Sequence, residues 1–440
     1  MAEGNYTHLR ERASAVSGKS GRRRQRVPLD ESLNPYDLPL DEINVANPEM
    51  FKHDAWGAYF KRLRDEAPVH YCADSQYGPY WSVTRFDDIM QVDKMHDVFS
   101  SDFSLGGVTI QGRPSSTGEL PMFIQMDPPV HDVQRKAVAP MFTQRSLAEL
   151  EGVIRERAGH ILDGLPADET VDWVPHVSVE LTSQMLATLF DVPQEDRLKL
   201  IDWSNTVSNA DDPAYVSDAA QFWEALAECG DYFHALWQRK KAEPASFDLL
   251  SMLSHGADTH DMDQRQVLGN VILLLVGGND TTRNSISGGL AALNDFPQQY
   301  DKLKADPSLI GSMVPEIIRW QTPLMHMRRT ALRDVEFCGQ QIRKHDTVIM
   351  WYISGNRDER AIERPDEFII DRKDPRHHLS FGFGIHRCLG NRLAEMQLRV
   401  LWEEILKRFE HLETVAPPVR ASSPLFRAIQ SLPVRLTRKS

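Results

Sequence analysis

Cys388 stands in the run Phe381-Gly-Phe-Gly-Ile-His-Arg-Cys-Leu-Gly, a sulfur flanked by glycines at 382, 384 and 390. The 440-residue chain holds three other cysteines, at 72, 229 and 338, and no two of the four have the short spacing of a zinc site or a redox pair. Glycines permit left-handed turns and let backbone approach a large flat ligand closely. Amide groups freed by such a turn, beside the start of a helix, stabilise a thiolate. A lone cysteine is more often structural, and it is the glycine context that turns this one toward ligand chemistry. A single anionic sulfur presented in this way suits an axial position of an iron, where it pushes electron density onto the metal.

A second constellation sits inside an apolar stretch. The spacing predicts one long buried helix over 267–294, nearly apolar before Gly277, and into it is set Gly277-Gly278-Asn279-Asp280-Thr281-Thr282. Two glycines within a helix cost about 1 kcal/mol each relative to alanine, so close helix packing or a ligand must offset them. Plain helix packing, with Asp280 and Thr281 incidental, is one reading. The other starts from the need of a buried acid and alcohol for partners. A hydroxyl beside a carboxylate is the pairing that moves protons into a site from which bulk water is excluded.

The pattern Phe381-Gly-x-Gly384-x-His386-x-Cys388-x-Gly390 resembles the haem-binding signature of the cytochrome P-450 superfamily, the haem-thiolate monooxygenases, with all six defined positions matched. That resemblance implies haem b, with Cys388 as the iron ligand and with Phe381 and His386 against the haem. Gly277, Gly278, Asp280 and Thr281 overlay the family's distal motif, which makes Asp280 and Thr281 the proton-delivering pair in dioxygen scission. Asp127-Pro-Pro-Val-His131-Asp-Val-Gln-Arg135 predicts a helix capped by Asp127, with His131 and Arg135 on one face. It is similar to the family's propionate-binding helix, so both residues are expected at the haem carboxylates, as is Arg329 by its spacing to Asp334. Leu324 and Met325 are expected above the iron or in the core, the two readings being even, and Gly277 and Gly278 in the substrate pocket. Glu316 and Arg319 are similar to the family's structural Glu-x-x-Arg, with Asn356-Arg357-Asp358 expected to add a third charged group.

The elements that must position these residues read as mostly helical. Helical spacing is present over 55–63 and 86–92, with a β-hairpin expected between 69 and 84 and β runs at 335–337 and 347–352. Residues 105–120 are rich in Gly, Ser, Thr and Pro without periodicity, which predicts a long loop, disordered or functional, and the resemblance implies that it covers the substrate on the distal side. After Cys388, Leu393, Met396, Val400, Leu401 and Ile405 form a core-facing helical stripe. The implied architecture is a mostly α single domain over 28–440 with a small β-rich region, the haem lying between the long distal helix and the Cys388 loop. Residues 1–27 are expected to be a basic disordered tail: seven Lys and Arg against Glu3 and Glu11, on a chain whose net charge is −13.

That acidity argues against general nucleic-acid binding. No apolar leader follows Met1, and the longest apolar run, 271–276, is too short to span a membrane, so a cytoplasmic protein without a transmembrane anchor is expected. The resemblance implies insertion of one atom of O2 into a C–H bond, with electrons from a separate ferredoxin and ferredoxin reductase. Arg387, Arg392 and Lys136 are candidates for docking that donor. Segments 276–285, 317–330 and 350–359 are similar to the soluble bacterial alkane terminal hydroxylases, which implies terminal (omega) hydroxylation of medium-chain alkanes or fatty acids. A monooxygenase for another hydrophobic substrate, such as a terpenoid or steroid, and a non-enzymatic haem or gas sensor are the alternatives.

Overall fold

The computed structural model describes residues 6–16, 28–112, 120–166, 169–210, 212 and 215–439. About 54% of the described residues are helical, and the described strands form four small sheets, so the mostly α expectation holds. Its contacts divide into two compact units. One takes Met1–Gln25, Ser101–Ser146 and Ser183–Asn279; the other takes Arg26–Ser100, Leu147–Thr182 and Asp280–Ser440.

The first unit carries the helices Val130–Val138, Arg197–Ser208, Ala219–Ala242 and Leu249–His255, and the opening half of Gln264–Asp295. Leu268, Val271, Ile272 and Leu275 of that last helix are buried, as its apolar run demands. Asn270 interrupts the run for a structural reason. Its Oδ1 accepts from the Phe123 amide at 3.0 Å and its Nδ2 donates to Gln134 Oε1 at 2.9 Å, which ties the chain entering Val130–Val138 to the long helix. Gly269 lets that chain pass, since a Cβ there would lie 2.1 Å from the Pro121 carbonyl oxygen.

The N-terminal expectation needs correction. Thr7–Val16 is a helix, with Tyr6, Leu9 and Ala13 buried. Their spacing is that of one helical face, and the surrounding arginines masked it. The Tyr6 hydroxyl donates to the Gln264 carbonyl at 2.7 Å, and the Arg12 guanidinium lies 4.9 Å from the Trp223 ring centre. The basic run 22–26, and 113–119 of the expected distal loop, lie outside the described residues.

In the second unit the largest sheet runs Val69–Cys72, Tyr80–Val83, Thr347–Met350, Met327–Ala331, Phe99–Ser100. The first pair is the expected hairpin, with Val69 opposite Val83. Val83, Val348 and Met350 pack with Phe86 and Ile89 of the helix Phe86–Lys94 in one core cluster. The Cys388 loop leads into the helix Asn391–Arg408, which buries Leu393, Val400, Leu401 and Ile405.

Glu316 and Arg319, on the helix Ile310–Gln321, are wholly buried, and their side chains meet at 2.7 and 2.8 Å. The third charge is Arg372, whose Nε lies 3.0 Å from Glu316 Oε2. Neither Arg357 nor Asp358 takes that place, which corrects the sequence reading: Arg357 lies 4.1 Å over the Trp320 ring, and Asp358 accepts from the Phe86 amide at 3.0 Å. Asn356 does join the group, its carbonyl accepting from Arg319 Nη1 at 2.9 Å. Burial pushes the Glu316 carboxyl up, but the hydrogen bonds and charges of Arg319 and Arg372 outweigh burial and hold it below its ordinary value of 4.5.

Glu316→Gln leaves the buried Arg319 guanidinium and the half-buried Arg372 without their anion and is expected to cost about 3–5 kcal/mol in chemical denaturation. A loss below about 1 kcal/mol, the range of an exposed pair, would contradict this. Because the folded carboxyl titrates lower than the unfolded one, its contribution is complete near neutral pH and disappears as pH falls below 4.5 through the folded value.

Candidate functional site

The turn around Cys388 is closed by its own backbone: the Cys388 amide donates to the Phe381 carbonyl at 2.8 Å. Gly382 and Gly384 both take φ of +66° within it. At Gly384 a side chain is also excluded by space, because a Cβ would lie 2.4 Å from the Asp93 carbonyl oxygen. Cys388 is exposed, His386 and Phe381 are half-buried, and the helix Asn391–Arg408 begins three residues on. The Phe381 ring lies 5.4 Å from that of His378. Burial, with the Arg319 charge adding to it, takes the His378 imidazole down to about 3, so that ring is neutral.

Two anchors hold this turn at separate points. Asn356 grips its entrance: its Oδ1 accepts from the Leu379 amide at 2.7 Å and its Nδ2 donates to Ser380 Oγ at 2.9 Å. Asn356 is also the acceptor of Arg319, so the buried Glu316 assembly reaches the loop through one residue. Asp93 grips the middle. Its carboxylate accepts from the Phe383 amide at 3.1 Å, the Tyr352 hydroxyl at 3.0 Å and Arg329 Nη2 at 2.8 Å.

Arg329 is therefore joined to the Cys388 turn, through Asp93, and its Nη1 donates to the Arg328 carbonyl at 2.9 Å. Arg328, the preceding residue of the strand, points to the other face. It donates to Thr347 Oγ1 at 3.2 Å, and burial pulls its guanidinium down to about 10.

In the long helix Gln264–Asp295, Asp280 is buried and paired with Arg283 at 2.6 Å. The Asp280 and Thr281 carbonyls accept from Asn284 Nδ2 at 2.7 Å and Ser285 Oγ at 2.8 Å, side-chain bonds that compete with the helix ladder. The two glycines divide the readings between them. A Cβ at Gly278 would meet the Leu186 side chain at 2.9 Å, so Gly278 serves packing. At Gly277 a Cβ would meet nothing within 4 Å. Leu273, Gly277 and Thr281, one turn apart along the helix, keep some exposure, as do Leu274, Val276 and Gly278 beside them.

His131 and Arg135 lie on Val130–Val138, His131 buried and Arg135 half-buried. His131 Nδ1 lies 2.8 Å from Asp132 Oδ1, and burial lowers the imidazole pKa. The helix begins at Val130 and Asp127 does not cap it, contrary to the sequence reading. Asp127 Oδ1 accepts instead from the Ser101 amide at 2.9 Å, a partner 26 residues away that local spacing does not disclose. Met325 is fully buried and Leu324 half-buried; both are fixed by the C-terminal segment, Met325 donating its amide to the Leu425 carbonyl at 2.9 Å and Leu324 bridging Phe426.

Sequence reasoning missed Asp93, Tyr352, Arg372 and Arg283. Only Arg283 carried a local signal, its i+3 spacing from Asp280. The donor chemistry suits haem: one exposed sulfur for the iron, and guanidinium and imidazole groups of the kind that meet its carboxylates. Among the described residues no group of three or more His, Cys, Asp or Glu is arranged to hold a metal ion.

The family model described as cytochrome P450 matches residues 76–434. The solved structure of CYP153D17 from Sphingomonas sp. PAMC 26605 is 44% identical, covers 91% of this chain and 100% of its own, and superposes with a TM-score of 0.85. Linalool 8-monooxygenase of Pseudomonas putida is 34% identical over 408 residues, 91% of this chain and 100% of the relative. The methyl-branched lipid omega-hydroxylase of Mycobacterium tuberculosis (strain ATCC 25618 / H37Rv) is 30% identical over 415 residues, 90% of this chain and 96% of the relative.

Proposed function

The chain belongs to the cytochrome P450 family, and we propose that within it the protein is a terminal (omega) hydroxylase of medium-chain alkanes or fatty acids. It is a haem-thiolate monooxygenase: bound haem b supplies the iron at which O2 is reduced, one oxygen atom entering a C–H bond and the other leaving as water.

In this reading the described chain, the helix Thr7–Val16 included, forms one haem domain, with the haem between the helix Gln264–Asp295 and the Cys388 turn. Cys388 holds the iron, Phe381 and His386 lie against the macrocycle, and His131, Arg135 and Arg329 meet its carboxylates. Thr281, half-buried on its helix, delivers protons toward the reacting oxygen. Asp280 supplies them, and the Arg283 guanidinium fixes where its carboxylate can swing. Gly277 leaves room for substrate beside Thr281, and Leu324 and Met325 line its apolar path. Two electrons per turnover come from a ferredoxin and its reductase, for which Arg387 and Arg392, both exposed on an acidic chain, offer docking charge. Among the described residues no helix is long and apolar enough to cross a membrane.

The observation that carries the substrate class is the similarity of segments 276–285, 317–330 and 350–359 to the bacterial alkane terminal hydroxylases, supported by 44% identity to CYP153D17 along the whole fold. A relative named as an omega-hydroxylase points the same way. An apolar channel that admits only a chain end places the methyl group at the iron by orientation. The relative named as acting on linalool favours a second reading, a terpenoid substrate.

Octane, dodecanoic acid and linalool, each supplied with O2, ferredoxin and reductase, separate the two. Terminal alcohols are the expected main products; subterminal alcohols, or turnover of linalool alone, would overturn the terminal-hydroxylase reading. Thr281→Ala is expected to keep consuming electrons while product per electron falls severalfold. Full coupling in that variant would remove Thr281 from proton delivery.

A further inference from the structure

Asp93 belongs to none of the motifs discussed so far, yet it is the residue on which the Cys388 turn and the buried arginine converge. It lies in the last turn of the helix Phe86–Lys94 and is 3% exposed. One carboxylate oxygen takes Arg329 Nη2 at 2.8 Å; the other takes the Tyr352 hydroxyl at 3.0 Å and the Phe383 amide at 3.1 Å. Three donors from three separate parts of the chain thus use both oxygens of one buried anion. The Asp93 backbone adds a second hold, since its carbonyl oxygen occupies the space that a side chain at Gly384 would need. Lys94, the next residue, sits 5.0 Å over the Phe383 ring.

We infer that Asp93 is a positioning residue for haem capture, its buried carboxylate locking the turn that carries Cys388 to the arginine that meets the haem carboxylates. The inference rests on the assignment of Cys388 and Arg329 to haem. Its physical content lies in charge as well as shape. Burial raises the Asp93 carboxyl, and Arg329, Tyr352 and the Phe383 amide oppose that rise. Removing the negative charge while keeping an oxygen acceptor takes from Arg329 the protein anion that sets its direction toward the haem carboxylates, and a buried guanidinium so released shifts toward water or another anion. The Phe383 peptide, five residues before Cys388, then loses its fixed partner and the sulfur its fixed direction. A tie that served only the packing of the Phe86–Lys94 helix would lower stability and leave the sulfur–iron bond untouched.

The test compares wild-type, Asp93→Asn and Asp93→Glu holoenzymes by thermal unfolding, by the carbon monoxide difference spectrum of the reduced protein, and by haem transfer to excess apomyoglobin. Asp93→Asn is expected to release haem about tenfold faster or more, the scale of losing a supporting partner of a metal site. It should also show a mixture of thiolate-type and non-thiolate carbonyl bands, with Asp93→Glu restoring part of the thiolate band. Asp93→Asn with wild-type haem release and a pure thiolate band would overturn the inference, even if its melting temperature fell. Should Asp93→Asn not fold, Asp93→Glu carries the test, since it keeps the charge and displaces the carboxylate. Faster haem release at an unchanged melting temperature supports the inference, and wild-type release overturns it. A wild-type protein lacking the thiolate band overturns the haem assignment, and this inference with it.

Discussion

A metal group held through one sulfur is only as well placed as the backbone that presents the sulfur. Here that backbone is a turn with two residues at positive φ, closed by one backbone bond of its own. Further holds come from outside, through two buried polar residues. Asn356 fastens the entrance and Asp93 the middle, and both use their side chains to hold main-chain amides of the turn.

Behind each anchor stands a buried charge. Asn356 is held by Arg319, which is held by Glu316, which also takes Arg372. Asp93 is balanced by Arg329. Buried ions cost several kcal/mol each to desolvate, and an apolar core of the same volume would be at least as stable. What such charges contribute is direction, because a guanidinium and a carboxylate meet in a narrow range of geometries where aliphatic side chains slide. The glycines of the turn supply the close approach, and the buried ions supply the aim.

The same division decides what the sequence could disclose. The Cys388 turn, the long helix with Asp280 and Thr281, the hairpin and the helical stripe after Cys388 are local patterns, and all were legible. The anchors were not. Asp93 lies 236 residues from Arg329 and 290 from Phe383, and in the sequence it is one aspartate among several on an amphipathic helix. Arg372 reaches Glu316 across 56 residues, and the nearer charged pair at 357 and 358 drew the assignment instead. The helix Thr7–Val16 escaped for a different reason: its three buried residues are spaced for a helical face but are outnumbered by polar and charged neighbours. Gly277 and Gly278 were read together as one motif, and only their surroundings separate a packing glycine from one beside open space.

Sulfur ligation at Cys388 is the claim on which every other role depends. The direct measurement is the carbon monoxide difference spectrum of the reduced, haem-reconstituted protein, recorded side by side for the wild type and Cys388→Ser. The account predicts the long-wavelength band of a thiolate-bound haem in the wild type and its absence from the serine variant. A colourless wild type, or the same band in both proteins, would contradict it.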